Sequence, residues 1–277
     1  MPSSLLSSWH LFANAWLSSW LIAGLLSLLG VAVLARGQVF LGAAMSQAAT
    51  AGVALVLCGT ASLTITWRPQ AEAIAAMFAA VATAFAVGAS HRHRDAIAAW
   101  IFLTAGAVAV LLVAQSPYGM DEVNRLLASS IVGARLSDVI VFAVLALIVV
   151  GVVLGNAARL RSLLLDPAFA AAIGIRVARW EVWLAVLLGL SLGWSLHVAG
   201  LLYTFGALIL PAMAARLLSR ELGTMAWLTP VLAVGCAIIG TGCADVWDLP
   251  PAQVVVAFWS GSVATAGFVR FLRTLAG

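Results

Sequence analysis

About nine stretches of roughly twenty apolar residues follow one another along the chain, and charged residues fall almost wholly between them. They lie near 12–35, 39–63, 71–90, 96–115, 138–158, 180–198, 200–218, 225–244 and 251–270. A run of that length matches a helix crossing a hydrocarbon core about 30 Å thick. Strands of a membrane barrel alternate polar and apolar residues, and these runs do not. A soluble fold needs a charged surface, which a chain with 64% hydrophobic and 9% charged residues cannot supply. The expectation is an all-α polytopic membrane protein, with 1–277 forming a single transmembrane domain. The division between the sixth and seventh stretches is weak, resting on His197-Val198-Ala199-Gly200.

The arginines orient these helices. All 14 basic residues are arginine. Alternate loops hold Arg36; His91-Arg92-His93-Arg94; Arg159, Arg161, Arg176 and Arg179; Arg216 and Arg220; and Arg270 with Arg273. The opposite face receives only Arg68, Arg125 and Arg135, with the acids Glu72, Asp121, Glu122, Asp138, Asp245 and Asp248. By the positive-inside rule the first group is cytoplasmic, and so is the C-terminus. The net charge of +4 then reports cytoplasmic loops and not a nucleic-acid partner. Residues 121–137 are expected to form a short helix at the outer surface, either lying in the headgroups or serving as a gate.

Between Arg161 and Arg176 stands a short helix with its own punctuation: Asp166-Pro167-Ala168-Phe169-Ala170-Ala171-Ala172-Ile173-Gly174. Asp166 suits the N-cap, Pro167 the first helical position and Gly174 the stop. It is too short to cross a bilayer. A capped helix on the arginine-rich face is a part for docking a cytosolic partner, with Phe169 as its apolar anchor. A Walker-type phosphate loop needs a lysine, and the chain has none, so any ATPase is a separate polypeptide.

Four segments together resemble the membrane permease of the zinc/manganese class of ABC importers. The first runs from Arg36-Gly37-Gln38-Val39-Phe40-Leu41-Gly42-Ala43-Ala44-Met45-Ser46-Gln47-Ala48 to Gly52-Val53-Ala54-Leu55. The second is the docking helix, similar to that family's coupling helix. The third runs from Gly200-Leu201-Leu202 through Ala207-Leu208-Ile209-Leu210-Pro211-Ala212 to Arg216-Leu217-Leu218, and the fourth is Asp248-Leu249-Pro250-Pro251. The resemblance implies a homodimer in a bacterial inner membrane and cytosolic ABC ATPase subunits gripping Asp166–Gly174. An extracytoplasmic binding protein would deliver Zn²⁺ or Mn²⁺, with zinc expected first. ATP would act on the partner subunit and drive alternating access. Pro211, inside an apolar run, is expected to kink or break its helix.

The family pattern is broken where it carries ligands. Its second helix places an Asp and a His four residues apart, on one face. Here those positions are Ala43 and Gln47, a methyl and a neutral amide. Metal could pass without a resting site, other residues could hold it, or the cargo could be a chelate of the siderophore or cobalamin type. Candidate substitutes are Met45, a soft thioether beside Gln47, and His197, Asp245 and Asp248. For His197 the plainer reading is a histidine closing a helix end, and for Asp245 and Asp248 a solvated turn. His91 and His93 lie among arginines that repel cations. Cys58, Cys236 and Cys243 have no metal-finger spacing and read as small buried residues. Glu181 is expected in the first turn of the sixth span. No catalytic constellation is visible, which argues against an enzyme. An ion-coupled secondary carrier would need ionisable residues within its spans, and few are present.

Overall fold

The computed structural model describes residues 2–59, 68–89, 94–114, 131–219 and 221–275. These hold ten α-helices, one short 3₁₀ turn and no strand. In chain order they are α1 (Pro2–Ala35), α2 (Val39–Gly59), α3 (Arg68–Ala89), α4 (Arg94–Ala114), the 3₁₀ turn Ile131–Gly133, α5 (Leu136–Gly155), α6 (Ala157–Leu165), α7 (Pro167–Ala172), α8 (Val177–Leu218), α9 (Leu222–Trp247) and α10 (Pro251–Leu275). Eight of them, all but α6 and α7, are long and apolar enough to cross a membrane. A helix suits that solvent because it satisfies its backbone polar groups within the segment. His91, His93 and most of 121–137 lie outside the described residues.

The sixth and seventh apolar stretches both fall in α8, which is 42 residues long. It is broken at Gly200, whose φ of 76° and ψ of 178° glycine adopts without steric penalty. Across the break the Ser195 and Thr204 hydroxyls share a buried hydrogen bond of 2.8 Å. In a straight helix nine residues would separate them by about 13.5 Å along the axis. The chain therefore folds back at Gly200, and 177–199 and 201–218 are distinct segments. Of the kink or break expected at Pro211, the break does not occur: only Gly200 leaves helical geometry. A proline ring holds φ near the helical value, so the helix can continue through it despite the lost hydrogen bond and the crowding of the preceding turn. Burial of Ala207, Leu208, Ala212, Ala214 and Ala215 around it keeps the segment helical.

The chain divides into two compact units. The first comprises Met1–Arg36, Ser130–Leu165 and Gly206–Gly277. Here Gly30 of α1 lies so close to the Leu208 carbonyl that a side chain would overlap it. The Arg216 guanidinium donates to the Leu34 carbonyl at 3.3 Å, so α1 and 206–218 run parallel. Trp20 Nε1 donates to Thr241 Oγ1 at 3.2 Å, while Gly24 faces Val234, so α9 runs antiparallel to α1. Gly240 abuts Val255, and the fully buried Trp259 donates to the Ala233 carbonyl at 3.0 Å, which sets α10 antiparallel to α9. Small residues here let backbones meet, which replaces the hydrophobic drive that lipid does not provide.

The second unit comprises Gly37–Ser129 and Asp166–Phe205. A Cβ on Gly52 of α2 would meet the Ala75 carbonyl of α3 at 2.6 Å, and one on Gly193 of α8 would meet Met77 at 2.5 Å. Gly189 likewise sits on Val81. Residue numbers rise along α8 as they fall along α3, so the two are antiparallel. Phe40 of α2 packs edge-on against Phe102 of α4 at 5.8 Å. Arg94 pairs with Glu181 at 3.8 Å, joining the starts of α4 and α8. Glu181 is the fifth residue of α8 and not in its first turn, so this pairing, not the helix dipole, accounts for it.

Candidate ion conduit and docking helix

The short helix expected at Asp166–Gly174 forms as its residues dictate. Asp166 is the N-cap of α7, and its Oδ1 accepts the Ala168 and Phe169 N–H groups at 2.9 and 3.0 Å. Pro167 opens the helix where no N–H is needed. Gly174 closes it with φ 84°; its N–H donates to the Ala171 carbonyl, and the Ile175 N–H to the Ala170 carbonyl, both at 3.0 Å. Ala170 faces inward with no exposure, while Phe169 and Ile173, one turn apart, are 55% and 54% exposed. Arg176 and Arg179 just beyond are also exposed. Phe169 and Ile173 thus form an exposed apolar pair beside exposed guanidinium groups.

On α2, Ala43 and Gln47 share a face and are half-buried, and Met45 is fully buried. The Gln47 amide fits against Gly106 of α4, where a Cβ would stand 3.3 Å from its oxygen. No carboxylate or imidazole takes the place of the missing ligands on this helix, since α2 contains no Asp, Glu or His.

Asp245 and Asp248 belong to the first unit and His197 to the second. Asp248 ends α9 in the left-handed region at φ 51°, and the Leu249 N–H donates to the Ala244 carbonyl at 3.0 Å. Pro251 then starts α10. The segment Asp248–Pro251 therefore has a sufficient local task, a tight turn between two spans. Asp138, another acid of that group, accepts the Arg135 N–H at 2.8 Å and so caps α5. The three cysteines are free and half-buried. Among the described residues no group of three or more His, Cys, Asp or Glu side chains could hold a metal ion.

One pairing escaped sequence reasoning. Glu72, placed above among the acids of the face opposite the cytoplasmic arginines, is buried on α3, and its Oε2 lies 3.9 Å from His197 Nδ1. His197 is 23% exposed at its side chain and three residues before the Gly200 break. The spacing of Gly189, Gly193 and His197 on α8 against Val81, Met77 and Glu72 on α3 was the available signal. It could be read only after the two helices were known to pack together.

Against known proteins, residues 8–269 match the model of a family described as the ABC 3 transport family. The chain belongs to the ABC 3 transport family. It is thus a multi-pass membrane component of an ABC transporter. A manganese transport system membrane protein, MntC, of Halalkalibacterium halodurans is 25% identical over 267 residues, covering 95% of this chain and 88% of that protein. A manganese transport system membrane protein, MntB, of Synechocystis is 25% identical over 221 residues, covering 80% and 70%. Among solved structures, PsaBC from Streptococcus pneumoniae in complex with Fab superposes with a TM-score of 0.80 at 18% identity, over 96% of this chain and 95% of that one. The last likeness is one of fold. For this ABC 3 permease it confirms the helical membrane architecture expected from the apolar runs.

Proposed function

We propose that this chain is the permease subunit of an ABC importer that carries a divalent transition-metal ion, manganese or zinc, across a bacterial inner membrane. The observation that carries the reading is the family match over nearly the whole chain, joined to a capped docking helix with Phe169 and Ile173 exposed. Manganese gains support from the named functions of the relatives; zinc is the ion the sequence resemblance put first. Within each unit, the arginine-bearing helix ends lie together, as at Leu34–Arg216 and Arg94–Glu181. This supports the assignment of those ends, and of the C-terminus, to the cytoplasm.

In this reading the whole of 1–277 acts as one permease domain in a homodimer. ATP is bound and hydrolysed by cytosolic ATPase subunits docked on Asp166, Pro167, Phe169 and Gly174, and an extracytoplasmic binding protein delivers the ion. Ala43, Met45 and Gln47 contribute to a ligand-poor conduit, and Asp245 and Asp248 draw cations toward the outer mouth. Alternating access moves the ion. Membership of an ABC family favours this over an ion-coupled carrier. The neutral pair Ala43 and Gln47 favours, as a second reading, a chelated metal whose own ligands travel with it.

Proteoliposomes holding the permease, its ATPase and its binding protein separate these readings. Uptake of radioactive manganese competed by zinc, but not by an iron chelate, is the expected result; competition by the chelate alone would favour the second reading. Phe169→Asp should abolish ATP-dependent uptake or ATPase binding, and normal uptake with normal assembly would refute the docking role.

A further inference from the structure

We propose that Glu72 and His197 form an ion-holding site of this permease, displaced from the second helix to the α3–α8 pair. The inference rests on the permease reading above, and adds to it a residue that no motif points to.

Three observations converge. First, the pair is chemically suited to the cargo: one carboxylate oxygen and one imidazole nitrogen are the donor types that Mn²⁺ and Zn²⁺ accept from proteins. Second, the spacing fits an ion better than a hydrogen bond. At 3.9 Å, Oε2 and Nδ1 stand too far apart for one. Two donors on one tetrahedral zinc, each about 2.0–2.1 Å from it, stand about 3.3 Å apart, so Oε2 and Nδ1 would reach one ion after closing by roughly half an ångström through side-chain rotation. Third, the fold spends structure on holding them there. Gly189 and Gly193 bring α8 onto α3 at backbone distance, and the fold-back at Gly200, tied by Ser195 and Thr204, fixes the end of the helix that carries His197.

Burial gives the pair its cost and its meaning. The Glu72 side chain is 5% exposed within a chain that spans a membrane. Ionisable groups in such places are expensive and mark ion pathways more often than packing sites. His197, at 23% exposure, remains reachable from outside the packed core. No third His, Cys, Asp or Glu completes the site among the described residues. Two protein ligands with water filling the remaining positions make a weak site, and transit needs binding that is also easily undone.

The level of the site differs from that of the broken motif. Glu72 lies about 6 Å along the axis from the start of α3, whereas Gln47 lies about 18 Å from the matching end of α2. Gly52 and Ala75, each seven residues from those ends, are in contact, so the two depths can be compared directly. The ligand pair is therefore shifted about 12 Å toward the end of the unit where α8 turns back. In the orientation proposed above this is the outer end, where a delivered ion arrives.

The test is direct binding of Mn²⁺, followed by its electron paramagnetic resonance signal, to the assembled permease–ATPase complex in nanodiscs. The wild type should bind one ion per permease chain. Glu72→Gln and His197→Asn should each weaken binding about tenfold or more, since losing a ligand costs at least what losing a supporting group does. Glu72→Asp, which keeps a carboxylate and guards against misfolding, should retain binding, and so should Glu181→Gln, which removes a charge elsewhere in the same unit. No bound ion in the wild type, or equal affinity in Glu72→Gln and His197→Asn, overturns the site. Binding that is present and Glu72-dependent in a complex that never accumulates metal would uphold the site and refute the permease reading instead.

Discussion

Two levels of the second unit handle the problem of a cation in a membrane differently. In the middle of α2, Ala43 and Gln47 offer a methyl group and a neutral amide, and glycine at 106 makes room for that amide. At the end where α3 meets the turn of α8, Glu72 and His197 face each other across 3.9 Å. In the proposed pathway the first arrangement would let an ion pass and give it no place to stop. The second would offer a stop near one end of the unit. The contrast teaches that a lost ligand motif need not mean a lost pathway. The same two donor types can be supplied by other helices, provided the packing brings them together. That packing is done by glycines, which carry no chemistry of their own.

The largest disruption should come from Gly193→Leu. A side chain there runs into the Met77 backbone, where even a Cβ would lie at 2.5 Å. Forcing α3 and α8 apart should destabilise the protein by on the order of 2–3 kcal/mol, and should separate Glu72 from His197. A lowered melting temperature in detergent together with lost Mn²⁺ binding is expected. Unchanged values of both would show that this contact does not position the pair.

A second change sharpens the comparison by filling the empty level. The double substitution Ala43→Asp and Gln47→His places a carboxylate and an imidazole one turn apart on α2. Bound manganese should rise from one ion to two per chain, and uptake at saturating manganese should slow as the ion gains a resting place. A folded variant that still binds a single ion would mean that this face of α2 is closed to the cargo.

The smallest effect is expected at the docking helix. Asp166→Ala removes the acceptor of the Ala168 and Phe169 N–H groups, worth about 1 kcal/mol of local stability. Faster amide hydrogen exchange over 167–172 should follow, with ATPase stimulation reduced and not abolished. Unaltered exchange would assign the order of α7 to its packing through Ala170.

The ease with which each region can be read from sequence follows from the range of its interactions. The apolar runs encode spans directly, because the bilayer acts on each segment separately. The α7 helix is legible to the residue, since Asp166, Pro167 and Gly174 act within their own turn. The break at Gly200 was harder to see. Pro211 is the louder signal, but a proline ring is compatible with helical φ, whereas the left-handed φ of Gly200 is not. The burial of Glu72 was hidden for a different reason. Four residues into a helix, beside a loop, it reads as a surface acid, and only the approach of α8 buries it. Asp248 carries two readings at once: its acid suggests a cation attractor, and its position ends a helix.

The most direct test of the account is ATP-driven manganese uptake by reconstituted vesicles, measured at subsaturating manganese for the wild type and for Glu72→Gln. The expected result is accumulation in the wild type that requires ATP, and a rate about tenfold lower in the variant while ATP hydrolysis continues. No accumulation by an assembled complex that hydrolyses ATP would contradict the metal-permease reading. Equal rates in the two would contradict the role of Glu72 and leave the ligand-poor conduit of α2 as the whole path.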